Sequence, residues 1–289
     1  MSKETKYGLT SLKHDFPNEE ACLQFIFDSQ HTRKCSCGGQ YHLISGRKQF
    51  QCSMCRFQIA PCANTIFHKS STPLTLWFHA IWIFSNAKSG ISALEMQRHL
   101  EVTYKCAWRI LSMIRKALKQ DDTKLKGDVE MDSAYIGGVK SGGKNNEQLS
   151  QAIAMKTVVM AAVERNGRMR AEIVKDNSAN SHTKFINKYI SKENTRLITD
   201  KSNRYQKAIV LGLKRESVDH SKKEYVRGDV HINRIETFWS HVKRSIRGTY
   251  KAISQKHLQS YLDAFVFHYN NRYSDRQRFA SLVDNLLRA

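Results

Sequence analysis

Long apolar runs are absent from this sequence. No hydrophobic stretch approaches the ~20 residues that a membrane-spanning helix needs, so we expect no membrane partner. The first residues, Met1-Ser2-Lys3-Glu4-Thr5-Lys6, contain no apolar segment of the kind that secretory signals carry. We therefore do not expect an integral membrane protein, and we have no reason to expect that the protein is secreted.

Acidic residues are scarce. The 289 residues include 26 Asp and Glu against 47 Lys and Arg, which gives a formal net charge of +21. Such a surplus of positive charge attracts polyanions through counterion release, so nucleic acid is the first partner to consider. A basic protein that is merely soluble is the alternative. The length is enough for about two or three domains.

Cysteine is sparse and unevenly placed. The seven cysteines include two close pairs, Cys35-Ser36-Cys37 and Cys52-Ser53-Met54-Cys55. Paired thiols on two turns are typical of a zinc ribbon, in which thiolates surround a metal that takes the place of a larger core. We therefore predict a small zinc-ribbon-like β module over residues 31–72, with structural Zn²⁺ bound by the two pairs. The first pair is unusually tight, which leaves alternative ligands open: Cys62, His31, His42 and His68.

Helical periodicity flanks the cysteine module. Residues 1–30 predict a helical segment that begins after Asn18, and residues 73–120 predict three helices. The second and third of these, around a tight turn after residue 100, predict a helix-turn-helix DNA-binding domain; an ordinary helical bundle is the alternative. The expected DNA contacts on its last helix are Lys105 and Arg109. Cys22 and Cys106 lie in apolar helical stretches and are predicted to be buried.

Strands alternate with helices from residue 127 to residue 289. The predicted order is strand, strand, strand, helix, strand, helix, strand, helix, with a hairpin at Asn166-Gly167 and a Gly, Lys and Asn loop over residues 137–150. This order is that of an α/β domain of the RNase H-like class, in which the first and fourth strands lie side by side.

Two carboxylates stand where predicted strands end. Asp132 follows Val129-Glu130-Met131, and Asp200 follows Arg196-Leu197-Ile198-Thr199. If the first and fourth strands are neighbours, both carboxylates lie at one edge of the sheet. Carboxylates of this kind hold Mg²⁺ or Mn²⁺, and two such ions can clamp the attacking and leaving oxygens of a phosphodiester. Asp128 and Glu130 share the strand face of Asp132 and are candidates for a supporting acid.

A third ligand is expected on a helix that starts near Ile232. Asn233 and Glu236 both point towards the predicted cleft, and the sequence leaves the choice between them open. A solvated Glu236 paired with Arg234 or Lys243 is the alternative. Residues 237–262 contain no acid, which suits contact with the DNA backbone. The basic residues expected to make that contact are Lys243, Arg244, Arg247 and Lys251.

Several motifs together resemble a known family. They include Lys88-Ser89-Gly90-Ile91-Ser92-Ala93, Asp132-Ser133-Ala134-Tyr135-Ile136-Gly137-Gly138, Thr199-Asp200, residues 231–250 and Tyr269-Asn270-Asn271-Arg272. With the two cysteine pairs, they resemble the DDE-type transposases of bacterial insertion sequences, in the Merlin-related group that has an N-terminal zinc ribbon. The likeness extends over nearly the whole chain.

The resemblance implies Mg²⁺-dependent DNA cleavage at the element ends and strand transfer into target DNA. It assigns catalytic roles to Asp132, Asp200, either Asn233 or Glu236, and the basic Lys243. The implied partner is double-stranded DNA, as terminal inverted repeats and as target. We expect a bacterial, cytoplasmic, nucleoid-associated protein that acts as a dimer or higher oligomer on DNA. A domesticated non-catalytic DNA-binding protein and an RNase H-like nuclease that cuts without joining are the alternatives.

Overall fold

A computed structural model describes residues 6–137 and 156–288 of the chain. The predicted Gly, Lys and Asn loop lies, from residue 138 onwards, outside the described residues. The chain divides into two units, one formed by Met1–Leu118 with Asn271–Ala289 and the other by Lys119–Asn270. Within the described ranges, no helix has both the length and the hydrophobicity that crossing a bilayer requires.

Helices and strands come mostly in groups of two or three along the chain. The helices are α1 (Leu9–Asp15), α2 (Glu19–Gln30), α3 (Leu74–Asn86), α4 (Ala93–Leu100), α5 (Tyr104–Ala117), α6 (Ala179–Tyr189), α7 (Gln206–Val210), α8 (Asn233–Ser245), α9 (Gln255–Asn270) and α10 (Asp275–Leu287). The strands are β1 (Tyr41–Leu43), β2 (Phe50–Cys52), β3 (Gln58–Ile59), β4 (Leu125–Ile136), β5 (Thr157–Glu164), β6 (Met169–Val174), β7 (Ile190–Asp200) and β8 (Lys214–Val218). A π-helical turn, Ile246–Tyr250, continues α8.

Side-chain caps mark the start of α2, α4 and α5 in the first unit. Asn18 accepts a hydrogen bond from the Ala21 amide at 2.9 Å at the start of α2, as the sequence predicted. Ser92 and Thr103 cap α4 and α5 in the same way. The backbone turns between these two helices at Glu101, which has a left-handed φ of 54°. The two predicted helices are thus present, joined by a three-residue turn over residues 101–103.

The helix α10 packs in the first unit. The ring of Phe279 lies 4.9 Å from that of Tyr7 and 6.0 Å from that of Phe16, between ring centroids. Its buried residues Leu282 and Leu286 follow the same helix face. The structure therefore differs from the predicted boundary, which ran the catalytic domain on to residue 289. An apolar stripe predicts that a helix packs against a hydrophobic core, but it does not predict which core.

The second unit contains a five-stranded mixed sheet in the order β6-β5-β4-β7-β8. Strands β4, β5 and β6 pair antiparallel, and β7 pairs parallel with both β4 and β8. The prediction that the first and fourth strands of this unit are neighbours is confirmed. The predicted hairpin at Asn166-Gly167 is also present, between β5 and β6, with a left-handed φ of 63° at Asn166.

Each face of this sheet has its own apolar cluster. On one face, Ala134 of β4 and Ile198 of β7 pack with Ile235 and Val242 of α8 and with residues of α9. On the other face, Met131 and Leu197 pack with Phe185 of α6 and its neighbours. Side chains alternate along a strand, so Glu130, Asp132 and Ala134 share the face that α8 covers. The same alternation puts Asp200 with Ile198 on that face.

Candidate active site

Asp132 and Asp200 are brought to the same edge of the sheet by the parallel pairing of β4 and β7. The last residues in register between the two strands are Glu130 and Ile198. Each aspartate comes two residues later, on the face that α8 covers. Asp200 ends β7 as predicted, whereas Asp132 does not end its strand, because β4 continues to Ile136 through its antiparallel pairing with β5. The structure thus places together two residues that are far apart in sequence, as the predicted strand order required.

The electrostatics of Asp132 identify its neighbours. Burial, together with the negative charges of Asp200 and Glu236, raises the pKa of Asp132 to about 6, against the opposing effects of a hydrogen bond from the Ser133 amide and the positive charge of Lys243. Burial and the charges of Asp132 and Asp200 likewise raise the pKa of Tyr205. Two further carboxylates and one ammonium group therefore lie within electrostatic reach of Asp132. A divalent cation would relieve the mutual repulsion of the carboxylates.

The surroundings of Asp200 hold its backbone and leave one carboxylate oxygen open. Arg215 donates from Nη2 to the carbonyl of Asp200 at 2.9 Å and from Nε to Oγ1 of Thr199 at 3.0 Å. Oδ1 of Asp200 is buried and receives no hydrogen bond from the described residues. A buried anionic oxygen without a donor fits a cation ligand. We therefore regard the donor set of Asp132, Asp200 and Glu236 as suited to Mg²⁺ or Mn²⁺.

Sequence reasoning missed three residues around this site. Arg215 lies against the ring of Tyr205, 5.4 Å from its centroid, and His182 meets the same ring edge-on at 4.6 Å. Nδ1 of His182 is hydrogen-bonded to the carbonyl of Ser178 at 2.8 Å, and burial lowers the pKa of this histidine. These residues come from separate elements and share no local pattern, so no signal in the sequence connects them to the carboxylates.

The two candidates for the third ligand occupy the first turn of α8. Asn233 is its first residue and is exposed, and Glu236 follows three residues later. The carboxylate of Glu236 lies 3.9 Å from Nε2 of His220, a neighbour that the sequence did not suggest. The charge of Glu236 acts on Asp132, while Asn233, being neutral, has no such electrostatic signature. Both therefore stay candidates for the third ligand.

The two supporting acids proposed on β4 have different surroundings. Asp128 binds the guanidinium of Arg196 through both of its oxygens, at 2.8 and 2.7 Å. Glu130 is fully buried and binds the start of α8. Of these two acids, Glu130 is the one that hydrogen-bonds the strand of Asp132 to the helix of the third-ligand candidates.

The exposed face of α8 continues the site as a basic groove. Ile235, Phe238 and Val242 are buried on the opposite face, as the helical periodicity predicted. The groove is lined by Ser240, Lys243, Arg244, Arg247 and Gly248. Lys251 is exposed just beyond the π-helical turn, with a φ of 62°. Four of the predicted DNA contacts thus follow the surface that leads away from the carboxylates.

In the first unit, the four paired cysteines form a cluster. The Sγ atoms of Cys35, Cys37, Cys52 and Cys55 all lie within 4.8 Å of one another, and in the described ranges no other His, Cys, Asp and Glu set is gathered in this way. The hydroxyl of Tyr41 donates to Sγ of Cys35 at 3.4 Å, and this hydrogen bond, together with those from the Cys37 amide and the neighbouring thiols, lowers the pKa of Cys35 to about 6. Four thiols at these separations can hold Zn²⁺, and a thiol that ionises readily suits metal binding.

Two adjacent glycines make room for this cluster. Gly38 has a left-handed φ of 89°, and a Cβ on Gly39 would lie 2.6 Å from Sγ of Cys52. Neither Cys62 nor the three alternative histidines joins the four thiols. Cys22 is fully buried as predicted, whereas Cys106 is only half-buried, because its helix α5 turns it towards the hydroxyl of Thr72.

The residues predicted to contact DNA from α5 differ in their availability. Lys105 is exposed. Arg109 is half-buried, and its Nη2 donates to Oγ1 of Thr72 at 3.1 Å and to Oγ of Ser70 at 3.3 Å. Its guanidinium is therefore held by the first unit itself. The exposed aromatic rings of this helix belong to Tyr104 and Trp108, neither of which was predicted to contact DNA.

Comparison with known proteins decides the family. A sequence model described as the ISXO2-like transposase domain matches residues 124–270, just over half of the 289 residues. The chain belongs to this transposase family. The match covers the whole mixed sheet with α6 to α9, so both aspartates and the start of α8 lie in the transposase domain. The predicted kinship with insertion-sequence DDE transposases is confirmed.

A relative and a solved structure show further similarity. Over 240 residues, this chain is 26% identical to the "Uncharacterized protein in transposable element ISH50" of Halobacterium salinarum. The aligned region covers 78% of this chain and 79% of that protein. That relative is archaeal, so the bacterial origin expected from the sequence stays a prediction. A solved structure, "Crystal structure of the Mos1 Strand Transfer Complex", aligns with 72% of this chain and 75% of its own, at 10% identity and a TM-score of 0.33. A likeness at that level supports no functional statement.

Proposed function

We propose that this protein is the transposase of an insertion sequence, which binds the element ends and carries out divalent-metal-dependent strand cleavage and strand transfer. The observation that carries the proposal is the meeting of Asp132 and Asp200 just beyond the last paired residues of β4 and β7, beside the first turn of α8. In this proposal the transposase domain is RNase H-like, and its metal ligands are Asp132, Asp200 and either Glu236 or Asn233.

The residues of the site divide the work. Bound Mg²⁺ would activate the attacking water or 3′-hydroxyl and stabilise the departing oxygen of the phosphodiester. The carboxylates hold the metal, and Lys243, within electrostatic reach of Asp132, offers a positive charge to a phosphate. Arg244, Arg247 and Lys251 extend the positive surface on which a DNA backbone would lie.

We further propose that the first unit recognises DNA. In this proposal residues 31–72 form a zinc-ribbon-like module whose four thiolates bind structural Zn²⁺, and residues 73–120 form a helix-turn-helix domain. The cluster of four Sγ atoms supports the first assignment. The pair of capped helices α4 and α5, with Lys105 exposed on the second, supports the other. The double-stranded DNA partner would be the terminal repeats together with the target.

The decisive experiment incubates labelled element ends and a plasmid target with the parent protein or with the Asp200→Ala variant. Cut, joined and bound DNA are then separated on a gel. We expect the parent to produce joined DNA, and the variant to lose cutting and joining while it still binds the ends. Asp284→Ala is the matched control, because this exposed carboxylate pairs only across one helix turn with Arg288. Robust joining by Asp200→Ala would refute the metal assignment.

The same gel separates the two alternative functions. Cut DNA without joined DNA from the parent protein would identify a nuclease. A bound complex without either product, at every Mg²⁺ and Mn²⁺ concentration, would identify a non-catalytic DNA-binding protein. Comparing Asn233→Ala with Glu236→Ala in this assay then assigns the third ligand, since only loss of the true ligand removes both reactions.

A further inference from the structure

The helix α8 begins without a cap of its own. The first amides of any helix have no partner within the helix, and a side chain at the preceding residue normally accepts from one of them. That residue here is Ile232, which has no acceptor on its side chain. Ile232 and Ile235 are both buried, so water does not replace the missing acceptor.

Glu130, on β4, supplies the acceptor instead. Its Oε2 accepts hydrogen bonds from the amides of Arg234 at 2.9 Å and Ile235 at 3.3 Å. Its Oε1 accepts from Nε of Arg165 at 3.0 Å and lies 3.6 Å from Nδ1 of His231. The side chain of Glu130 is fully buried, so its charge is balanced by the guanidinium and by the helix amides rather than by solvent.

We propose that Glu130 is a positioning residue for the metal site, an inference that rests on the proposed function. It fastens the first turn of α8, which carries Asn233 and Glu236, to the strand that carries Asp132 two residues later. The apolar packing beneath α8 is non-directional and tolerates sliding. Hydrogen bonds to two named amides fix the position of the helix along the strand and its rotation.

Arg165 completes the support from the hairpin side. Its Nη2 donates to the carbonyl of His231 at 3.0 Å, just before α8, while its Nε binds Glu130. One guanidinium therefore holds both the carboxylate and the backbone that leads into the helix. Metal ligands need placement to within about 0.5 Å, so loss of this support should weaken metal binding with the fold intact.

The test compares Mn²⁺ binding by the full-length parent protein with Mn²⁺ binding by its Glu130→Gln variant. Glutamine keeps the volume of the side chain but has a single acceptor oxygen, so either the helix amides or Arg165 then face an NH₂ group. We expect the dissociation constant for Mn²⁺ to rise about tenfold, as is typical when a group that orients a metal ligand is lost. We also expect faster hydrogen exchange at the amides of Arg234 and Ile235.

Glu164→Gln is the matched control. Glu164, on the neighbouring strand β5, likewise accepts two backbone hydrogen bonds, from the amides of Lys126 at 2.7 Å and Arg168 at 3.0 Å, neither of which belongs to α8. We expect it to leave both Mn²⁺ affinity and exchange at α8 unchanged. If Glu130→Gln does not fold, Arg165→Lys is the second variant, because it removes the guanidinium that binds Oε1 of Glu130 and the arginine side chain is partly exposed. We then expect a smaller loss of Mn²⁺ affinity and a smaller increase in hydrogen exchange at Arg234 and Ile235.

The outcomes separate this inference from the function on which it rests. Unchanged Mn²⁺ affinity in a folded Glu130→Gln protein would overturn the positioning role and leave the metal site standing. Equal Mn²⁺ binding by the parent and by Asp200→Ala would instead overturn the metal site. Equal losses in Glu130→Gln and Glu164→Gln would indicate a general loosening of the sheet and would also count against a specific role.

Discussion

At the scale of single residues, the site is built at the expense of stability. Asp132 is partly buried beside Asp200 and Glu236, so without a cation its ionised form is disfavoured. Its pKa of about 6 in the folded protein lies above the ordinary value of 3.8. Ionisation of Asp132 therefore destabilises the metal-free fold progressively as the pH rises from about 4 through about 6.

We predict that Asp132→Asn stabilises the metal-free protein at pH 8. The neutral amide avoids the burial and repulsion of the carboxylate, and the free energy of unfolding should rise by about 2 kcal/mol. The gain should vanish below about pH 4, where Asp132 is protonated in both folded and unfolded chains. Urea unfolding in chelator at both pH values checks this. A variant that is less stable than the parent at pH 8 would contradict the repulsion among the carboxylates.

At the scale of elements, the cysteine module shows how small strands are held in place. The strands β1 to β3 have two or three residues each, too few for an independent sheet without further support. The four thiols lie on the turns around these strands, where together they could bind a metal ion. The approach of Gly39 to Cys52 shows how little space separates the first turn from the second.

We predict that Gly39→Ala weakens Zn²⁺ binding. The added Cβ would collide with Sγ of Cys52 and press on the side chain of Met54, so the turn that carries Cys37 must shift. Competition with a chromophoric chelator should release zinc from the variant at a lower chelator concentration, with protease cleavage appearing first within residues 31–67. Gly8→Ala is the control, because a Cβ there meets open space. Zinc retention equal to that of the parent would rule out a tight thiolate site.

At the scale of the whole molecule, the charge of +21 governs the encounter with DNA. A protein that neutralises phosphates releases counterions, so its DNA affinity falls steeply as salt rises. The basic groove of α8 gathers three of the 47 basic residues next to the carboxylates, and this arrangement gives the general attraction a direction. DNA held in that groove would have its backbone beside the candidate metal site.

We predict that Arg247→Ala lowers DNA affinity and also makes it less sensitive to salt. Loss of one phosphate contact should reduce the slope of log K against log salt by about 0.9. Lys192→Ala is the control, since this exposed lysine lies at the opposite end of β7 from Asp200. The slopes can be measured by fluorescence anisotropy with an element end. Equal slopes for the parent and Arg247→Ala would exclude a phosphate contact at this position.

Patterns that are local along the chain were enough to predict much of the protein. The Asn18 and Ser92 caps, the two faces of α8 and the hairpin at Asn166-Gly167 depend on neighbours within a few residues, and the structure contains all of them. The cysteine spacing likewise indicated the thiol cluster. These features follow from backbone geometry and side-chain periodicity, which act over short separations in sequence.

Other features were decided only by tertiary packing. The sequence indicated that Asp132 and Asp200 both end strands, which holds for Asp200 but not for Asp132, and their meeting depends on the parallel pairing of β4 with β7. The anchoring of α8 by Glu130, and the joining of α10 to the first unit, depend on which surfaces pack together. Burial and hydrogen bonding between distant segments have no fixed spacing in sequence. The sequence by itself therefore determined the elements and their chemistry, and the tertiary structure decided which side chains form the site.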